Sequence, residues 1–217
     1  MAPAETDAPP TAARPDRRAR RRQETIREIL DIARDVMTEQ GVNGLSLAEV
    51  ARRLGVQPPS LYKYFPSLMA IYDALFLDGQ RENLEAMRAG MRDVEPGLTA
   101  LIAGLEASGR WGLANRAVAE LLFWRPVPSF HPSPEAFAVS TEMVELQRRA
   151  LADAVAKSEL GPSANEDDAI YLVSALIAGV LGQAIANEPD LPWGQGRFSP
   201  VFPRLMRLLP AAFPLDE

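Results

Sequence analysis

The strongest constraint on how this chain folds is the stretch from Leu45 to Phe65, where two short apolar repeats flank a glycine and a pair of prolines. Ser46 and Glu49 stand at the Ser-x-x-Glu spacing of a capping box, with Leu45 and Val50 placed to staple over it. Val50, Ala51 and Leu54 then recur at helical spacing, and Gly55 supplies the left-handed residue that stops the helix at once. Pro58 and Pro59 fit the first turn of a second helix, where their missing N–H groups have no intrahelical partner to lose. Leu61 and Phe65, four apart, bury one side of it, and Pro66 ends it. Gln57, Ser60, Lys63 and Tyr64 are left outside. A helix this short is unstable alone, so it needs a scaffold, and its outer face needs a use. A helix-turn-helix that offers the start of its second helix to a major groove satisfies both requirements.

Charge is distributed to match. From Arg14 to Phe65 there are eleven Lys or Arg against seven Asp or Glu, a net of +4; from residue 66 to the end there are twelve against twenty, a net of −8. A basic head on an acidic body brings one end to a polyanion, although the whole chain carries −6. With no cysteine and one histidine, the chain has no disulfide, no thiol nucleophile and no Cys- or His-rich metal site. Neither a metal nor a cofactor is expected. The 217 residues, 47% of them hydrophobic, suffice for one large or two modest packed domains.

The pattern divides into three parts. Residues 1–22 read as a disordered basic arm that ends in Arg20, Arg21 and Arg22, a solvated tail or a strand laid along phosphates. Residues 23–66 form the helix-turn-helix domain. Its first helix shows an apolar face of Ile26, Ile29, Leu30, Ala33, Val36 and Met37 and stops at Gly41. Residues 67–217 read as a helical effector-binding and dimerisation domain, which makes the fold all-α with about nine helices. Ser67 caps a long helix to about Arg92, a lever roughly 35 Å long at 1.5 Å per residue. Helical spacing resumes at Leu98 with an interruption near Gly112 to Asn115, Ser133-Pro134 opens another helix, and Ser199-Pro200 opens the last. The run from Ala169 to Ala186 carries no charge, but its acidic flanks argue against a membrane span and for a buried helix. Ala175, Gly179, Gly182 and Ala186 line one stripe of it, open to close approach by a partner's helix or by another helix of the same chain.

The first helix ending at Gly41, then Ser46, Val50-Ala51, Gly55-Val56, Leu61-Tyr62, Phe65 and Ser67, resemble the DNA-binding domain of the TetR family of bacterial transcriptional regulators over roughly residues 23–78. Two positions depart from that pattern: Gln57 replaces the usual Ser or Thr cap, and Leu68 replaces a Lys that contacts phosphate. The resemblance implies a cytoplasmic, non-enzymatic homodimer on a roughly palindromic double-stranded operator, most simply a repressor released by an apolar small molecule. It implies DNA contacts from Ser46, Gln57, Pro58, Pro59, Ser60, Tyr62, Lys63 and Tyr64, and a four-helix dimer interface joining the small stripe to Leu205 and Leu208 of the last helix. An effector pocket is expected from Trp111, Phe123, Trp124, Phe130 and Tyr171, oriented by polar groups such as Asn115, Arg116, Gln147 and Gln183. Two other readings remain open: a dimeric DNA-binding protein without a ligand, and a helical-bundle enzyme, which lacks the Glu-x-x-His pairs of di-metal sites.

Overall fold

A computed structural model describes residues 17–216, and within them the chain forms nine α-helices and no strand. Helix α1 (Arg17–Gln40) buries Ile29, Leu30, Ala33, Val36 and Met37 on one face. It begins at Arg17, so Arg20, Arg21 and Arg22 are helical rather than part of an arm reaching residue 22. Arginine and alanine are good helix formers, and no breaker follows Pro15. The first 16 residues, with Arg14, lie outside the described part.

Helix α2 (Leu47–Leu54) starts on Ser46, whose hydroxyl accepts from the Glu49 N–H at 3.3 Å. Glu49 does not reach back as a full capping box requires: its carboxylate is taken by Arg52 and Arg53 at 2.7–2.8 Å. Gly55, at φ 74°, ends the helix in the left-handed conformation.

Helix α3 (Leu68–Met91), capped by Ser67 through the Ala70 N–H, is where two cores meet. Its first half places Ile71, Tyr72, Leu75 and Phe76 in a core shared with α1 and α2, and the Tyr72 hydroxyl donates to the Val42 carbonyl at 2.6 Å. Its second half places Leu84 and Met87 in the core of the body. Between them Gly79 lets the next layer come close, since a Cβ there would sit 2.5 Å from Val118.

The body is built from α4 (Leu98–Ala114), α5 (Arg116–Phe123), α6 (Pro134–Ala156) and α7 (Asp167–Asn187). The interruption expected near Asn115 is the α4–α5 break, and Ser133 caps α6 through the Ala136 N–H. The last helix expected from Ser199 is broken into a 3-10 turn, Ser199–Val201, and two short helices, α8 (Phe202–Met206) and α9 (Leu209–Ala212). Pro200, Pro203 and Pro210 each fall in a first turn, the place a helix tolerates proline, so each one restarts the chain instead of extending it. Helix α7 is long and apolar enough to cross a membrane, yet Ala169, Ile170, Val173, Ile177, Val180, Leu181 and Ala184 are buried within the chain.

Candidate nucleic-acid interface

The segment after the turn is not the regular α-helix that the spacing predicts. It is a 3-10 turn, Pro58–Ser60, continued by turns to Tyr64. Ser60, Leu61 and Tyr64 each donate to the carbonyl three residues back at 2.8–3.0 Å, and Phe65 donates to Leu61 at 2.9 Å. Consecutive prolines remove two donors from a segment of eight residues, and the Gln57 side chain makes no capping bond, so the tighter pattern prevails. Leu61 is fully buried and Phe65 nearly so, which pins the segment to the head. Gln57, Pro59, Tyr62 and Lys63 are exposed, and Pro58, Ser60 and Tyr64 are half-buried.

Sequence reasoning missed what Arg22 does. Its guanidinium donates to the Lys63 carbonyl at 3.3 Å and lies 5.8 Å from the centre of the Tyr64 ring, over which the Lys63 ammonium also sits, at 5.0 Å. A cation on the last carbonyls of a helical turn satisfies acceptors that the turn leaves open, so Arg22 positions the segment from α1. Arg20 and Arg21 are exposed on the same first turns.

Two further head cations, Arg52 and Arg53, are engaged in ion pairs. Arg53 bridges Glu39 at 2.6 Å and Glu49 at 2.7 Å, and both carboxylates raise its pKa. Arg52, then Arg53, hold the Glu49 carboxyl down at about 2. Ser46 is half-buried, its hydroxyl spent on the cap of α2.

The expected effector residues do not share one cavity. Phe130 is buried against Tyr72 and Phe76, each ring pair 5.8 Å apart. Trp111 packs on the same core and donates from its indole to Glu82 at 3.3 Å. Phe123 meets Trp124 edge-on, while Trp124 and Tyr171 are exposed on the outside of the body. Asn115 is held to the Trp111 carbonyl at 2.9 Å. Gln147 alone lies deep in the body, on the seam between α3 and α6. Its Oε1, the Oδ1 of Asn83 and the hydroxyl of Ser140 are buried there without a hydrogen-bond partner. Asn83 also faces Met143, one turn from Gln147 on α6.

The small stripe faces outward. Ala175, Gly179 and Ala186 are exposed, and nothing lies within 4 Å of a Cβ built on Gly179. A Cβ built on Gly182 would instead meet Trp124 of the same chain, 3.1 Å away. Shallow grooves flank the Gly179 ridge, one beside Trp124 and the other beside Val201 and Leu205; Leu208 is exposed.

A capped helix, a left-handed glycine, a pinned short segment with polar residues outward and a separate helical body define a helix-turn-helix protein. Residues 29–75 match the sequence profile of "Bacterial regulatory proteins, tetR family". An HTH-type transcriptional regulator of Mycobacterium tuberculosis is 27% identical over 142 residues, a match spanning 64% of this chain and 61% of that protein. A Rhodococcus sp. RHA1 protein of unknown function superposes with a TM-score of 0.72 at 21% identity, over 87% of this chain and 94% of that one. The regulator FadR of Bacillus subtilis, solved with stearoyl-CoA, superposes with a TM-score of 0.65 at 15% identity, over 84% and 96% of the two chains. Over residues 29–75 this chain therefore carries the DNA-binding domain profile of the tetR family, and its fold as a whole is that of these helical regulators.

Proposed function

We propose that the protein is a homodimeric, cytoplasmic transcriptional repressor that binds a roughly palindromic DNA operator and is released by a small molecule. The observation that carries the DNA reading is the segment from Gln57 to Tyr64, held rigidly from behind by Leu61, Phe65 and Arg22 with its polar side turned out. Gln57 and Ser60 are placed for base edges, Tyr62 and Lys63 for phosphates. The outward stripe of α7, with Leu205 and Leu208 beside it, supports a dimer, because a helix apolar all round and covered on one side calls for a second cover.

The unpartnered atoms of Asn83, Ser140 and Gln147 support a ligand in the body. A buried polar group without a partner costs about 1–3 kcal/mol, which a ligand or water bearing donors recovers. Binding of stearoyl-CoA is a property of the Bacillus protein; it lends this chain only the precedent of a small-molecule complex in a protein of similar fold.

Selection of bound duplexes from a random pool tests the reading. The expected outcome is an inverted repeat with half-sites about 34–36 Å apart or a multiple of that. Recovery of unrelated sequences with equal affinity overturns it.

A further inference from the structure

A cleft of about 610 Å³ lies at the joint between head and body, away from the α3–α6 seam. Its size is within the range of about 300–1,000 Å³ usual for small-molecule sites. Arg34 and Thr38 of α1 form one wall, the residues around the α4–α5 break form the floor, and Pro189 to Trp193 form the other wall. Three guanidinium groups line it, from Arg34, Arg110 and Arg116, against one carboxylate, Asp190. The part of the chain from residue 66 onward is acidic overall, so this concentration of positive charge runs against its surroundings.

The three arginines are not equivalent. Arg34 is bound through both terminal nitrogens to Glu82, at 2.6 and 3.2 Å. Arg116 reaches the Pro189 carbonyl and, at 3.4 Å, Asp190, whose side chain is 92% exposed. Arg110 has no hydrogen bond or ion pair among the described residues. Beside these charges lie Leu113, Val118 and Trp193.

The far wall is fixed before any ligand arrives. Glu188 accepts from the Arg197 N–H and Nε, and Ser199 ties Gly194 to Gln195. Trp193 stands edge-on to Phe202 at 5.7 Å and packs so closely on α4 that a Cβ at Gly109 would lie 2.5 Å from its ring.

We infer that this cleft binds a small amphipathic acid, its carboxylate or phosphate held by Arg110 and Arg116 and its apolar part laid along Leu113, Val118 and Trp193. An anion there also lies beside Arg34 and draws on the charge that Arg34 gives to Glu82. Glu82 in turn holds Trp111 of α4, so the occupied cleft touches the link between head and body at its centre.

Calorimetric titration of the full chain with decanoate, decyl phosphate and decanol tests the inference. Saturable binding of at least one anion is expected, about tenfold or more tighter than decanol, with the preferred anion separating a carboxylate from a phosphate ligand. Arg110→Gln should weaken that anion about tenfold, Arg116→Gln likewise, and Arg148→Gln, which does not line the cleft and is paired with Asp167, should leave it unchanged. Equal affinity for anion and decanol, no saturable heat from either anion, or full affinity in both cleft variants overturns the inference. DNA is absent from this titration, so its failure leaves the operator reading standing, and loss of the operator reading leaves the titration intact.

Discussion

The head and the body treat apolar helices in opposite ways. On α1 the apolar residues form one face and that face is covered by the chain's own α2 and α3, down to zero exposure at Ile29, Ala33 and Val36. On α7 apolar residues lie all round, and only one side is covered; Tyr171, Ala175 and Gly179 of the other side meet solvent. A one-sided helix announces what it packs against within its own chain. An all-round apolar helix announces a second surface without saying whose it is.

Substitutions on the two helices sharpen that contrast. Leu61→Ala in the covered head should cost about 2–5 kcal/mol in denaturant unfolding, because a fully buried leucine leaves a cavity, whereas Tyr171→Ala in an isolated subunit should stay within about 0.5 kcal/mol. Equal costs would erase the distinction. Gly179→Leu meets nothing in its own chain and improves helix propensity by about 0.8–1 kcal/mol, so a subunit should be no less stable. Sedimentation should nonetheless show monomer, and operator affinity should fall about 10²-fold or more as the two heads stop binding together. A dimer of unchanged affinity would mean that the open face of α7 has another use.

Within the head, Gln57→Ala should cost about 1–3 kcal/mol concentrated at one base pair, and Lys63→Ala should weaken all sequences alike while flattening the salt slope by about 1. A uniform loss for Gln57→Ala in competition binding removes it from the readers. The smallest effect concerns pH. The Glu49 carboxyl is held at about 2 in the fold, below its usual value near 4.5, so its stabilising contribution is complete above the usual value and fades as pH falls toward 2. Thermal melts between pH 5 and 2 should show a steeper loss for the native chain than for Glu49→Gln; parallel curves would assign the acid sensitivity elsewhere.

What was legible followed the range of the interaction. The caps at Ser46, Ser67 and Ser133, the stop at Gly55 and the break at Asn115 depend on neighbours a few residues away, and the structure has each of them. The 3-10 form of residues 58–60 and the fragmented end after Ser199 depart from what apolar spacing predicts, because a proline pair in one and repeated prolines in the other override that spacing. The aromatic residues expected to line a pocket stand out by type alone, and type does not say which side of the chain faces in; Phe130 is core and Tyr171 surface. Arg34 and Arg110 went unnoticed because the cleft draws on α1, the α4–α5 break and the strap after α7, which no local pattern connects. The hint available was a cation set among Ala33, Val36 and Met37 on α1.

The tight turn at Pro58–Ser60 also sets a spacing. In 3-10 geometry, residues three apart eclipse one another and, at about 2.0 Å per residue, stand roughly 6 Å apart along the axis. Gln57 and Ser60 fall on such a row, and the bonds from Ser60 to Gln57 and from Leu61 to Pro58 follow that period. Base steps along one strand repeat every 3.4 Å or so, which puts neighbours on the row nearly two steps apart. If Gln57 and Ser60 read base edges as proposed, this pitch sets them on alternate base pairs, leaving the pair between them to be felt only through the stiffness of the duplex.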